Sequence, residues 1–586
     1  MERNITIMKK LLLFFLTLTL LSSCGKETSV FTGDFSSEPL RLLNHWDNLN
    51  GTVERGYAGR SLFWRRGGID TLSIQEYGRR NQEYGINGAV LNNVNASPQM
   101  LTDVYLDTTA MYADLLRPYG MKVYLSVNFA TPLALGQTTT ADPLDTAVVR
   151  WWKEKVDEIY RRIPDFGGFL VKASSEGQPG PGNYGRSHAE GANMIARALY
   201  PHKGVLIWRA FVYSPTDLDR AKQAYIEFAD LDGQFDKNVI IQIKNGPVDF
   251  QPREPVSPLF FALKKTRVMA ELQITQEYLG HSNHIAFLAP MWIEFLNELK
   301  LGGAPAVKDF AGVANVGTNG CGNKMAEANW YAFGRIANDP EVRADSIAKD
   351  WVEQNFPDAN DRAKLNIRAI LLMSREAVVN YMMPMGLHHQ FAWGHHYGPE
   401  PWCALPGIRY DWMPSYYHRS DTIGLGFDRT VATGTAATAQ YPDSMAQSYE
   451  NLETCDERYL VWFHHAPWTY TRKWACTGVE ENVWNHLGRH YQSGVNQVRQ
   501  MQLMWNSCKG QMPDELWQDI SNRLNTQLKD AVWWKDACLL YFQHLSKQDW
   551  PPTAEKPKYK LEDLRKIHLR ISNFECPSAE MLDAVR

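Results

Sequence analysis

Short apolar runs, too continuous for half-exposed strands, recur from Leu42 to Val316. They are Leu42–Trp46, Gly88–Val94, Val123–Phe129, Gly168–Lys172, Val205–Val212, Val239–Lys244, Val268–Ile274 and Phe310–Val316. Apolar positions without polar alternation suit parallel strands covered on both faces. Stretches of helical periodicity lie between most of them: Ile74–Glu83, Asp107–Arg117, Thr146–Arg162, His188–Leu199 and Leu218–Phe228. Strand and helix in alternation over eight runs predict an α/β fold, a (β/α)8 TIM barrel over residues 39–325.

Past residue 325 the pattern turns helical. Ala326–Ile336, Ala344–Asn355, Asn360–Asn380, Glu480–Asn506, Asp514–Ser546 and Leu561–Ile571 predict a mainly α-helical C-terminal domain over 326–586. Residues 384–427 interrupt it with a loop-rich, aromatic segment that carries many histidines. No repeat or low-complexity tract breaks the pattern.

The N-terminus adds an address. Lys9-Lys10, the apolar run Leu11–Leu21 and the small residues after it make a secretory signal, too short for a membrane span. The ending Leu21-Ser22-Ser23-Cys24 resembles a bacterial lipobox. That resemblance implies a lipoprotein signal peptide over 1–23, a lipid on Cys24 and a polar tether over 24–38. The expectation is an exported protein, membrane-attached only through its lipid, in the periplasm or at the outer membrane or surface of a Gram-negative bacterium.

Charge narrows the partners. The 586 residues include 61 basic and 65 acidic side chains, a net charge of -4, which gives no field for nucleic acid or an anionic membrane. The 20 Trp and 26 Tyr fit large cores and sugar-stacking platforms equally well. Beyond Cys24 the cysteines are Cys321, Cys403, Cys455, Cys476, Cys508, Cys538 and Cys576. Their odd number and the lack of a CxxC spacing fit neither a disulfide framework nor a zinc site, and leave one or two bridges open. The pairs His388-His389, His395-His396 and His464-His465 match no zinc spacing, so no metal is expected.

Barrels of this kind hold their active sites where the strands end. The fourth run ends in Lys172 and Glu176, the fifth in Arg209, the sixth in Lys244 and Asp249, the seventh in Glu277, and the first in Trp46. Each charge alone reads as a salt bridge or a solvated loop residue. Together on one rim they cost too much to bury unless they pair or bind something. Carboxylates on opposite strands suit glycoside hydrolysis, and the cations suit an anionic substrate.

The segments GGFLVKASSEGQPGPGNYGRSHAEGANMIARALYPHKGVLIWRAFVY, IQIKNGPVDFQPREP and ELQITQEYLG resemble the signature segments of the α-glucuronidases of glycoside hydrolase family 67. So do LLNHWDNLNGTVERGYAGRSLFW and HHQFAWGHHYGPEPW. The resemblance implies an inverting, exo-acting enzyme without metal or organic cofactor. Its substrate would be (4-O-methyl-)D-glucuronic acid α-1,2-linked to the non-reducing terminal xylose of glucuronoxylan-derived oligosaccharides. It further implies Glu176 as general acid, Asp249 and Glu277 as water-activating carboxylates, and Trp46, Lys172, Arg209 and Lys244 around the bound sugar. Glu176 should then have a raised pKa, with Lys172 turned toward the substrate or another carboxylate.

Members of that family usually carry an α/β domain before the barrel. Here the first strand follows soon after Cys24, so the chain is expected to lack most of that domain; a homodimer is one possible assembly. Two other readings stay open. One is a retaining β-glycosidase using Glu176 and Glu277; the other is a catalytically inactive surface glycan-binding lipoprotein.

Overall fold

The computed structural model describes residues 38–211, 217–569, 571 and 576–585. Cys24, the signal peptide and all of the tether before Glu38 lie outside these residues. Eight parallel strands close into a barrel in chain order: β1 (Arg41–His45), β2 (Gly88–Val90), β3 (Lys122–Val127), β4 (Gly168–Val171), β5 (Val205–Arg209), β6 (Val239–Lys244), β7 (Val268–Gln273) and β8 (Asp309–Ala314). Closure is made by β1 beside β8, with Arg41 paired to Phe310 and His45 to Ala314. Every residue of β6 is buried, as expected of a strand covered by side chains inside and helices outside.

The strands are shorter than the apolar runs. β2 stops at Val90 because side-chain pairing takes over from the ladder. Asn92 accepts from Ser126 N–H at 2.9 Å and donates to Ser126 C=O at 3.0 Å. β5 stops at Arg209 rather than reaching Val212, which is outside the described residues.

Helices cover the barrel: α1 (Thr71–Tyr84), α2 (Asp103–Leu116), α3 (Thr146–Arg162), α4 (His188–Leu199), α5 (Gln223–Phe228), α6 (Leu259–Ala262), α7 (Ala289–Leu301) and α8 (Glu327–Asn338). In α3, Val148, Trp152, Val156 and Ile159 recur at helical spacing and are all fully buried, while Asp145 caps the N-terminus through Ala147 N and Val148 N. The stretch expected to begin a helix at Leu218 first makes a 3-10 turn, Arg220–Lys222, capped by Asp219. α8 packs on β8, β1, α1 and α7, so the helix after the eighth strand lies just beyond residue 325.

Four long helices dominate the remaining chain: α9 (Ala344–Asn355), α10 (Asp361–Met382), α11 (Val483–Asn506) and α12 (Asp514–Ser546). α10, α11 and α12 pack on one another, and α9 and α10 reach the barrel through α7. Two predicted helices are corrected. Glu480–Asn482 pairs as strand β10 with β9 (Thr471–Lys473), because Asn482 caps α11 and starts the helix at Val483. The second keeps only Leu561–Leu564 as helix; residues 565–569 are not helical, and Leu564, Ile567 and Leu569 pack individually against the cluster around Trp533 and Tyr397.

Buried polar contacts lock the helical layer to the barrel. His284 meets Asp530 on α12 at 2.7 Å through Nε2 and Tyr381 on α10 at 2.8 Å through Nδ1. The cysteines do not contribute: all seven described ones are free, so neither of the bridges left open by the sequence forms among the described residues.

Candidate active site

One cavity of about 430 Å³ opens at the C-terminal ends of the strands, and all seven described candidates, Trp46, Lys172, Glu176, Arg209, Lys244, Asp249 and Glu277, line it. The barrel brings them together because each sits at, or a few residues past, the end of one of five strands, β1, β4, β5, β6 and β7.

Glu176 stands on a stiff loop. Its own φ is 48° and that of Ser174 is 56°, left-handed values that cost a non-glycine residue about 1–2 kcal/mol. The turn is held by Gln178 N–H donating to Ser175 C=O at 2.9 Å, and Gln178 in turn accepts from Asn128 at 3.0 Å. A Cβ at Gly180 would meet Ser174 Oγ at 2.0 Å, which is why the loop needs glycine there. The Glu176 side chain remains 37% exposed to the cavity.

Two expectations about Glu176 are corrected. Lys172 does not turn away; its Nζ contacts Glu176 Oε2 and also donates to Asn95 Oδ1 at 2.8 Å. Burial pushes the Glu176 carboxyl up, but the Lys172 ammonium, supported by Lys244 and Arg209, outweighs it and holds the pKa below the ordinary value. In this state Glu176 is an ion-paired carboxylate, not a proton donor.

The other two carboxylates are tightly held. Asp249 accepts from Lys244 Nζ at 2.7 Å and Phe250 N–H at 3.0 Å on Oδ1, and from Tyr278 O–H at 2.6 Å on Oδ2. Burial opposes ionisation, yet Lys244, Arg220 and these hydrogen bonds drive its pKa far down. Glu277 lies 2.8 Å from Arg55 Nε and 2.9 Å from His396 Nδ1 on one oxygen, and accepts from Gln273 at 2.8 Å on the other. Its pKa is lowered against the pull of burial, chiefly by Arg55. Both carboxylates are ionised at neutral pH and suited to accept a proton.

The cations differ in their freedom. Arg209 is 3% exposed and grips Glu271 inside the barrel through Nε and Nη2 at 2.7–3.0 Å, leaving Nη1 as the nitrogen Glu271 does not engage. The Phe211 ring gathers all three cations: Lys244 Nζ lies 3.5 Å, Arg209 Cζ 4.9 Å and Lys172 Nζ 5.8 Å from its centroid. Burial lowers the pKa of both lysines, although their carboxylate partners oppose it.

Further residues line the cavity beside the seven candidates. Arg55 and Glu54 come from the loop after β1; Tyr278 follows Glu277; His389, Phe391, Trp393, His396 and Trp412 come from the segment 384–427. The histidine doublets there serve in part as site partners, His396 on Glu277 and His388 on Glu254. Glu254 holds the Asp249 loop by accepting from Val248 N–H at 2.9 Å and Asp249 N–H at 2.8 Å. Trp393 and Trp412 line the cavity, whereas Trp402 packs on Tyr541 elsewhere. Like Glu176, the lining residues Arg55, His389 and His396 hold left-handed backbone, so strain concentrates at this mouth.

Fold and site together define a (β/α)8-barrel protein whose charged, aromatic-rimmed cavity lies where enzymes of this architecture bind their substrates. The chain belongs to glycosyl hydrolase family 67: the model of the family's middle domain matches residues 26–320, and that of its C-terminus matches residues 321–555. It is similar to a probable alpha-glucuronidase A of Aspergillus clavatus, 40% identical over 535 residues, which cover 87% of this chain and 62% of that protein. Alpha-glucuronidase A of Emericella nidulans is 40% identical over 560 residues, covering 89% and 64% of the two chains. That of Aspergillus tubingensis is 38% identical over 534 residues, covering 87% and 62%. The chain thus spans a little under two thirds of the length of these relatives.

Proposed function

We propose that the protein is an inverting α-glucuronidase. It removes (4-O-methyl-)D-glucuronic acid from the α-1,2 bond to the terminal xylose of xylo-oligosaccharides. One observation carries the reading: a single cavity opposes a half-exposed, lysine-paired Glu176 to two ionised carboxylates, Asp249 and Glu277, with three cations around Phe211. Membership of the family and the names of the relatives support it.

The uronate carboxylate, arriving among Lys172, Arg209 and Lys244, takes over part of the positive field that keeps Glu176 ionised. Glu176 then takes up a proton and delivers it to the glycosidic oxygen as the C1–O bond breaks. A water held by Asp249 or Glu277 attacks C1 from the opposite face. The new C1–O bond forms as that carboxylate receives the water's proton. Trp393, 42% exposed at the rim, offers a face for the xylose side.

The test is hydrolysis of aldotriouronic acid followed by NMR. A β-anomer released first supports inversion. An α-anomer first favours the retaining use of Glu176 and Glu277, and tight binding without release leaves a glycan-binding protein. From the Leu-Ser-Ser-Cys ending we also infer export with a lipid on Cys24. Cys24→Ser should move the protein from the detergent to the aqueous phase; unchanged partition rejects the anchor.

A further inference from the structure

His486 and His490 stand four residues apart on α11 and share one face of it. The hairpin β9–β10 lies against that face, and its connecting turn brings in Cys476. The ring of Trp474, from the same turn, stacks on His486 at 3.8 Å with the planes 5° apart. Cys476 Sγ lies 3.8 Å from His486 Nε2, and His486 Nε2 lies 3.0 Å from His490 Nε2. One donor atom from each of the three residues falls within 4.8 Å of the other two.

The far nitrogens decide what the near ones offer. His486 Nδ1 meets Glu481 Oε1 at 3.0 Å, and Glu481 is an ionised acceptor, since it also receives Arg489 at 2.7 and 2.9 Å. His490 Nδ1 meets Asn380 Oδ1 at 2.8 Å, with the amide nitrogen of Asn380 donating to Gln497. Both imidazoles therefore carry their hydrogen on Nδ1, and two Nε2 lone pairs face each other at hydrogen-bond distance with no proton between them. Such a contact repels unless a cation sits in it. On the other side of the cluster Glu457 accepts from Cys476 N–H at 2.7 Å, and its second oxygen is buried without a hydrogen-bond partner.

Tetrahedral zinc with Zn–N near 2.05 Å and Zn–S near 2.3 Å sets its donors roughly 3.3 Å (N to N) and 3.6 Å (S to N) apart. The observed 3.0 and 3.8 Å lie within a few tenths of an ångström of those values, and the third edge, from Cys476 to His490, closes within 4.8 Å. The carboxylate behind His486 is the usual support of a zinc-bound imidazole. We propose that Cys476, His486 and His490 bind one zinc ion, leaving its fourth position toward solvent beside the exposed Cys476. The ion would fasten the β9–β10 hairpin to the first turns of α11. None of the three residues lines the barrel cavity, so this is a site separate from the sugar chemistry.

The experiment uses the full chain, freed of metal by a chelator and titrated with Co²⁺, then with Zn²⁺ in competition. One Co²⁺ per chain should bind with thiolate-to-cobalt charge-transfer absorption, and Zn²⁺ should displace it. Cys476→Ser should abolish that absorption, His490→Gln should weaken binding by about 100-fold, and Glu481→Gln by about 10-fold. Zn²⁺ should raise the melting temperature of the wild type but not of Cys476→Ser. Absence of stoichiometric Co²⁺ binding, or the same absorption and affinity in Cys476→Ser and His490→Gln, would overturn the proposal and leave an imidazole–imidazole hydrogen bond at this place.

Discussion

Tyr278 donates its hydroxyl to Asp249 Oδ2 at 2.6 Å while its ring stacks on His396 at 4.7 Å, and His396 in turn contacts Glu277. One tyrosine thus links the two carboxylates that the proposed chemistry needs as bases. A hydrogen bond to a charged group contributes about 1.5–3 kcal/mol. Tyr278→Phe should therefore lower kcat on aldotriouronic acid roughly tenfold or more with little change in KM. An unchanged kcat would remove Tyr278 from the machinery.

The proposed function makes Glu176 the proton donor once substrate is bound. Glu176→Gln should abolish release of uronic acid from a xyloside yet spare substrates whose leaving group needs no proton. Equal loss on both substrates, measured as kcat/KM, would count against the assignment.

The ion pair with Lys172 predicts an unusual pH profile. In the free protein Glu176 is held below its ordinary range, so the alkaline limb of kcat/KM should fall early. In the complex the substrate's own negative charge offsets the lysine, and the alkaline limb of kcat should lie about one unit or more higher. Coincident limbs would reject the idea that substrate charge protonates its own acid.

Asp249→Asn should destabilise the fold as well as inactivate it. Lys244 would be left buried against Phe211 and Phe250 without its carboxylate, a loss of about 3 kcal/mol at neutral pH. The folded pKa of Asp249 is depressed, so its contribution is complete above the unfolded value of about 4 and declines as pH falls toward the folded one. Urea melts should show the gap between wild type and variant narrowing below about pH 4; a constant gap would contradict this.

Arg209 bears on stability first. Its removal leaves Glu271, fully buried, without its partner, which should cost about 3–5 kcal/mol. The double change Arg209→Met with Glu271→Gln should recover most of that loss in denaturant melts. If Arg209→Ala changed only KM, the guanidinium would be a substrate clamp alone.

The barrel was legible because buried parallel strands leave continuous apolar runs, and seven cavity-lining residues were legible because they end those runs or follow them closely. Their pairing was not. Glu271 sits inside the apolar run of β7, where a side chain inside the barrel looks like any strand position. Arg55 lies in a loop, where a charge normally reads as solvated. His396 meets Glu277 across 119 residues of chain, a separation no local pattern spans. The adjacent histidine pairs that draw the eye in the sequence lie in loops away from the hairpin. The spacing behind the proposed zinc site is His486 to His490, four residues apart on α11.

The stretch carrying Phe391, Trp393, His396 and Trp412 walls the cavity without belonging to the barrel. Under the proposed function, the acceptor side of the cavity is therefore written largely on a different length of chain from the strand-end carboxylates, with His396 joining the two through Glu277. Splicing that stretch from one relative into another offers a way to exchange the preferred acceptor sugar while the strand-end residues stay as they are.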